Sequence, residues 1–148
     1  MRFGIILYNK SDRDGAVEEA DNLQSGLQAV GCQVFREEWT TKRELSTLID
    51  EGVRKAAGCS LLVVCIMSHG TAGTLRCEEG ETRDIVINDV LQKLRGKLSE
   101  LTPLVCVICL VVKGKSHVMN VCMCGSNVLA GSLDRFLRDN LLQEFPCQ

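Results

Sequence analysis

Apolar positions in this chain follow two patterns that alternate from the N-terminus onwards. Continuous apolar runs of strand length predict buried β-strands at Phe3 to Asn9, Cys32 to Glu37, Leu61 to Met67 and Leu104 to Val112. Between these runs, apolar residues recur at helical spacing. That spacing predicts helices from Gly15 to Val30, from Lys42 (after a cap at Thr40 or Thr41) to Ala57, and onwards from a cap at Asn88. The repeated order of strand and helix predicts an α/β fold.

A mostly parallel sheet is the expected arrangement for this order of elements. Helices that join successive strands by right-handed crossovers cover both faces of such a sheet. We therefore expect a three-layer sandwich whose mostly parallel sheet ends after its fourth strand. A small polar hairpin between Leu75 and Val86 interrupts the series.

The pattern of apolar residues changes after Lys113. The periodicity weakens, His117 is expected in a surface loop, and one more helix is predicted from Leu129 to Gln143. We therefore divide the chain into an α/β domain at residues 1–112 and a divergent tail at residues 113–148. The fourth strand lies at the open side of the sheet unless the terminal helix covers it, and an apolar edge is a template for strand pairing.

Composition narrows the classes of function. The chain has 148 residues, of which 45% are hydrophobic, enough for one folded domain. Its net charge of -2, with basic residues scattered among acidic ones, leaves no basic patch for nucleic acid. No apolar run reaches the roughly 18 residues of a membrane span, and no signal-peptide cleavage site follows the first strand. We expect a cytoplasmic protein without nucleic-acid or membrane partners.

The nine cysteines form a high and odd count. Without a secretory signal, reduced thiols are expected in place of a disulfide framework. Cys106 and Cys109 have redox-motif spacing, but residues three apart on a strand lie on opposite faces, which favours a role in the core. His117, Cys122 and Cys124 lack the paired spacing that predicts zinc. We expect no metal and no cofactor.

The triplet Ser68-His69-Gly70 comes directly after the third predicted strand. In an open α/β sheet, ligands and catalytic groups gather at the carboxyl ends of the strands. His69 is therefore the first candidate for chemistry, although a histidine at a strand end is also compatible with a purely structural role.

Three segments of the chain resemble segments of the caspases, the cysteine peptidases that cleave after aspartate. They are Arg13-Asp-Gly15 with Asn22-Leu23 behind it, Met67-Ser68-His69-Gly70 with Gly73, and Thr102-Pro103-Leu104-Val105. Their order and spacing match the large-subunit half of a caspase from about Phe3 to Ile108. The resemblance implies a caspase-like sandwich for this stretch and leaves the tail outside it.

The resemblance also assigns a role to each site candidate. His69 would be the acid and base that serves a thiol nucleophile and the leaving amine, and the Gly70 N–H would stabilise the oxyanion. Arg13 would grip the substrate aspartate through two parallel hydrogen bonds, in a pocket that Ser68 also lines. Apart from the resemblance, Arg13 is also consistent with a solvated loop charge and Gly70 with a turn.

The chain departs from the caspases where their nucleophile lies. The family carries that cysteine in a Gln-Ala-Cys-(Arg/Gln/Gly)-Gly signature, whereas this strand ends Cys109-Leu-Val-Val-Lys113. Depending on a one-residue shift, Val111 or Val112 takes the nucleophile position, and valine cannot attack a carbonyl carbon. The tail does not resemble the caspase small subunit, which completes the sheet and the substrate groove.

We therefore expect a caspase-like protein, related to the cysteine endopeptidases of apoptosis or differentiation, that is inactive because the nucleophile and the small subunit are missing. One alternative is a binding module or decoy that regulates a true caspase, or a caspase-like chain, through the exposed sheet edge. Another is a residual cysteine endopeptidase with a non-standard thiol. Cys109 would need a register slip for that role, whereas Cys122 and Cys124 lie near the family's sequence distance from His69.

Overall fold

The computed structural model of the protein describes residues 1–9, 15–69, 74–75, 85–101, 105–113 and 117–125. Its elements, in chain order, are β1 (Arg2–Tyr8), α1 (Ala16–Ala29), β2 (Cys32–Glu38), α2 (Lys42–Lys55), β3 (Leu61–His69), β4 (Thr74–Leu75), β5 (Ile85–Val86), α3 (Ile87–Leu101), β6 (Val105–Lys113) and β7 (His117–Gly125). This order confirms the alternation of strands and helices that the apolar pattern predicts.

One sheet carries the fold, in the strand order β2-β1-β3-β6-β7. The first four of these strands are parallel, with β3 at the centre because β1 pairs with it on one side and β6 on the other. Every residue from Leu62 to Ser68 is buried. A strand that is covered on both faces has no polar side, which explains its continuous apolar run. The predicted α/β class with a mostly parallel sheet is confirmed.

Helices cover both faces of the sheet. On one face, α2 and α3 share a core cluster with Ile5, Val64 and Leu94 among its members. On the other face, α1 forms a second cluster to which Ile6 and Leu27 belong. Ile5 and Ile6 lie in different clusters because successive residues of a strand face opposite sides of the sheet. The three-layer sandwich predicted from the sequence is therefore confirmed.

The helix starts agree with the prediction in α2 and differ in α3. Thr41 caps α2, since its hydroxyl oxygen accepts a hydrogen bond from the Glu44 N–H at 3.1 Å. The Glu44 carboxylate in turn accepts hydrogen bonds from Thr40, so both threonines take part. Asn88 is not a cap, because β5 runs directly into α3, which already begins at Ile87.

The sequence predicts a sheet that ends after its fourth strand, but the structure adds a fifth strand, β7, which pairs with β6 in antiparallel orientation. The expectation that His117 lies in a surface loop is wrong, because this residue begins β7 opposite Val112. The prediction missed the strand because glycine and serine residues, which are typical of loops, flank it. Its own segment has no charged residue and no proline, and residues 114–116 suffice as a hairpin connection.

The sheet edge therefore differs from the expected one. β6 is not open, since β7 covers its outer side, and among the described residues no strand pairs with the outer side of β7. The helix predicted from Leu129 to Gln143 lies outside the described residues. The division of the chain at residue 112 stays a prediction.

Gly4 in β1 allows α1 to approach the sheet closely. A Cβ atom at this position would lie 2.8 Å from Leu27 Cδ1, closer than carbon atoms tolerate. Leu27 is fully buried in the cluster beneath α1. The missing side chain of Gly4 is therefore part of the packing between helix and strand.

We expect Gly4→Ala to lower the free energy of unfolding by about 1–3 kcal/mol, because the added methyl group forces Leu27 to move. The matched control is Gly96→Ala in α3, where a new Cβ meets no atom within 4 Å. That control should gain about 0.5–1 kcal/mol from helix propensity. Urea unfolding, followed by the fluorescence of the buried Trp39, measures both changes. Equal stability of Gly4→Ala and the wild type would contradict the close approach.

Candidate functional site

His69 is the last residue of β3 and is half-buried. The sequence predicts a strand that ends at Met67, but the parallel ladder continues for two more residues, with Ser68 opposite Val112 and His69 opposite Lys113. The side chain of His69 therefore belongs to the ordered end of the sheet. Its position at a carboxyl edge agrees with the general location of sites in α/β sheets.

The end of β1 lies beside the same edge. Tyr8 is level with Met67, and the backbone N–H of Asn9 donates a hydrogen bond of 2.9 Å to the Met67 carbonyl oxygen. Asn9 is one of the two buried polar residues in the described part of the chain. The ends of β1, β3 and β6 therefore bring polar groups together at one edge.

Ser68 is the other buried polar residue. Its hydroxyl group donates a hydrogen bond of 2.8 Å to the backbone carbonyl oxygen of His69. This contact satisfies the hydroxyl locally and links the last two residues of the strand. The role of Ser68 in a substrate pocket stays a prediction.

Two of the site candidates cannot be placed beside His69. Arg13 and Gly70 both lie outside the described residues. The carboxylate pocket and the oxyanion site that they would supply therefore stay predictions, as does the acid–base role of His69.

The strand register locates the expected nucleophile position. Val111 pairs with Met67 and Val112 pairs with Ser68, so both valines lie within two residues of the His69 row. Because side chains alternate along a strand, Val111 shares a sheet face with His69, whereas Val112 lies on the opposite face. Neither residue carries a group that can act as a nucleophile.

The cysteines of β6 lie far from His69. Cys109 is level with Cys65, four residues before His69, which corresponds to about 13 Å along the strand. Cys106 is level with Leu62, about 23 Å from the His69 row. Neither thiol can serve His69 in this register.

The cysteines of β7 lie near the opposite end of the sheet. Cys124 pairs with Cys106, and Cys122 sits at the irregularity of register between Val107 and Ile108. Their sequence distance from His69 is close to that of the family's nucleophile, but this distance does not bring them near His69 along the strand. The hairpin reverses the chain direction and carries them back along β6.

The same reversal separates the residues considered for zinc. His117 lies opposite Val112 at the His69 edge, whereas Cys124 is seven residues further along β7, about 23 Å away. Ligands of one zinc ion each lie about 2.0–2.3 Å from the metal. These residues cannot form one site. Among the described residues, no cluster of three or more metal-ligating side chains is present.

The described thiols elsewhere are suited to the core. Cys32, Cys59 and Cys65 are buried. Burial raises the pKa of the Cys32 thiol, although the charge of Arg2 opposes this effect, and burial likewise raises the pKa of the Cys59 thiol. These two groups therefore stay protonated at neutral pH, the opposite of an activated nucleophile.

His117 and Lys113 are the two residues at the His69 edge that the sequence did not assign to the site. Lys113 pairs with His69, and His117 pairs with Val112. The uncharged segment from His117 to Gly125, with its hydrophobic residues, was the available signal for a strand. Pairing partners, in contrast, depend on the register, which the sequence pattern does not show.

One groove lies away from the candidate site. It has a volume of about 340 Å³ and lies between α2 and α3, and its lining includes Leu45, Lys93 and Asp89 but none of the site candidates.

Across the described ranges, no helix has both the length and the hydropathy that crossing a bilayer requires.

Comparison with known families identifies the fold. The chain matches the caspase domain over residues 2–115, a stretch that runs from β1 through β6 and includes the His69 edge. No curated protein gives a significant match to the chain. The resemblance of the segments around Arg13, His69 and Leu104 is thereby confirmed at the level of the family. With the sandwich, the His69 edge and this match together, the chain belongs to the caspase family.

Proposed function

We propose that this caspase-family chain does not cleave peptide bonds. The observation that carries the proposal is the register between β3 and β6, which sets Val111 and Val112 beside Met67 and Ser68. In the family, this strand leads to the catalytic cysteine. An apolar side chain in its place supplies no nucleophile for the reaction.

The reasoning follows from what cysteine–histidine catalysis requires. A thiol must lie within hydrogen-bond reach of the histidine, about 2.6–3.2 Å between heavy atoms, although the distance is often longer without substrate. His69 would then accept the thiol proton and return it to the leaving amine. Arg13 and Gly70 would bind the aspartate carboxylate and the oxyanion. These groups can orient a peptide, but no covalent bond to its carbonyl carbon forms without a nucleophile.

A peptidase with a non-standard thiol has little support. In the described part of the chain, the thiols of Cys106, Cys109, Cys122 and Cys124 belong to rows well away from His69. Cys32 and Cys59 lie at or before the amino ends of β2 and β3, whereas His69 lies at the carboxyl end of β3. Cys77 and Cys147 lie outside the described residues, and the experiment below includes them.

A second candidate is a binding module that acts on a caspase or a caspase-like chain, in the cytoplasm and in apoptosis or differentiation. The observation in its favour is the sequence of the edge strand β7, which has no charge and no proline. Edge strands commonly carry charges that discourage pairing, as Arg36, Glu37 and Glu38 do in β2 at the other edge. β7 lacks this protection and suits strand addition.

For the wild type, we expect no hydrolysis of aspartyl peptide substrates above the level of His69→Ala. An aspartyl probe that traps thiols should label accessible cysteines to similar extents in both proteins, with peptide mapping by mass spectrometry as the measurement. A single cysteine, including Cys77 or Cys147, whose labelling depends on His69 would overturn the proposal.

A matched pair of variants tests the position assigned to the nucleophile. Val111→Cys places a thiol on the sheet face of His69, whereas Val112→Cys places one on the opposite face. We expect faster alkylation at position 111, because an imidazole on the same face can accept the thiol proton and the thiolate is the reactive form. The difference should disappear when His69→Ala is added. Equal rates at both positions would contradict the register.

For the binding module, we expect wild-type protein to co-elute with a purified caspase in size-exclusion chromatography. Asn120→Lys in β7 should abolish this complex, because a lysine on an edge strand opposes pairing. The matched control is Gln33→Lys in β2, which places the same change on the other edge. If the wild type forms no complex with any caspase tested, the second candidate is rejected.

A further inference from the structure

Cysteines concentrate in three adjacent strands of the sheet. β3, β6 and β7 together carry Cys65, Cys106, Cys109, Cys122 and Cys124. The register forms two pairs from them, Cys65 with Cys109 and Cys106 with Cys124. The second pair joins the edge strand β7 to its neighbour. None of the four residues in these pairs has a place in the chemistry of the His69 edge.

The backbone separation at the second pair suits a disulfide bond. Directly opposite residues in antiparallel strands have Cα atoms about 4.5 or 5.5 Å apart, depending on the hydrogen-bonding position. Disulfides span Cα separations of about 4.4–6.8 Å. Opposite residues also lie on the same face of the sheet. Cys106 and Cys124 therefore meet the requirement on Cα separation in either hydrogen-bonding position.

The location at the edge distinguishes this pair from the other one. Cys65 is completely buried in the central strand, where a small-molecule oxidant has no path to it. Cys124 belongs to β7, the outermost strand among those that the structure describes. Cys122 is the nearest competitor, but it occupies the irregularity of register and has no directly opposite residue.

We propose that Cys106 and Cys124 form a cross-strand disulfide under oxidising conditions, which fixes β7 on β6. The oxidant is a low-molecular-weight disulfide such as glutathione disulfide. One protein thiolate attacks it, forms a mixed disulfide and releases one molecule of glutathione. The second protein thiolate then displaces the second glutathione and forms the Cys106–Cys124 bond, so two protein thiols are oxidised and one external disulfide is reduced.

The bond closes the hairpin from its far end. β6 and β7 are joined at one end by residues 114–116, and the Cys106–Cys124 bond joins them at the other end. Reduced protein keeps β7 on the sheet through the backbone ladder and packing alone. The oxidised protein adds a covalent bond between the two strands, so β7 cannot separate from β6 at this end unless the bond is reduced. The bond lies at the opposite end of β6 from Lys113 and the His69 row.

The test begins with the complete wild-type chain in glutathione buffers of increasing oxidised fraction. After free thiols are alkylated, trypsin places Cys106 and Cys109 in residues 98–113 and Cys122 and Cys124 in residues 116–135. We expect these two fragments to be cross-linked. Fragmentation spectra should assign the bond to Cys106 and Cys124.

Four single variants separate the pair from its neighbours. Cys109→Ser and Cys122→Ser should retain the cross-link, whereas Cys106→Ser and Cys124→Ser should lose it. Oxidation should raise the Tm of the wild type and of Cys122→Ser and leave that of Cys124→Ser unchanged. If Cys106→Ser or Cys124→Ser does not fold, the wild-type spectra still decide. A bond to Cys109 or Cys122 instead, or no cross-link across the redox series, would overturn the proposal.

Discussion

The position of β3 between β1 and β6 is the constraint on which the rest of the structure depends. Its backbone pairs on both sides and its residues from Leu62 to Ser68 are buried on both faces. Because side chains alternate along a strand, a slip of one residue would exchange the two core clusters across the sheet. The core therefore fixes the register, and the register in turn fixes which residues stand beside His69.

The proposal that the chain does not cleave peptide bonds rests on the same ladder. Chain distance and spatial distance diverge in this fold, because parallel strands bring Val111 beside Met67 while the hairpin after Lys113 returns the chain along β6. Cys122 and Cys124 are thereby carried toward the amino end of the strand. The number of residues between His69 and a cysteine gives no information about this reversal. The direction of the next strand is what matters.

The sequence predicts the buried strands and the helices well because long apolar runs and helical spacing both reflect burial. Three features escaped it for physical reasons. β7 is flanked by glycine and serine, α3 begins without a separate cap because β5 runs into it, and β3 is extended to His69 by pairing with β6. The secondary-structure propensities of single residues do not encode which strands pair. At the site, the position of His69 follows from the strand run, whereas its neighbours Lys113 and Val112 follow only from the register.

The fold can persist without a nucleophile because its stability and its chemistry reside in different atoms. The core clusters join residues of β1 and β3 to the helices, and a cysteine at the end of β6 would add only a small apolar group to such a sheet. Valine is a favourable residue in a strand, so its presence at positions 111 and 112 is compatible with the ladder. Loss of a thiol would thus remove the covalent step and leave the backbone pairing that defines the family fold. Membership in the caspase family and peptidase activity are for this reason separate properties of the chain.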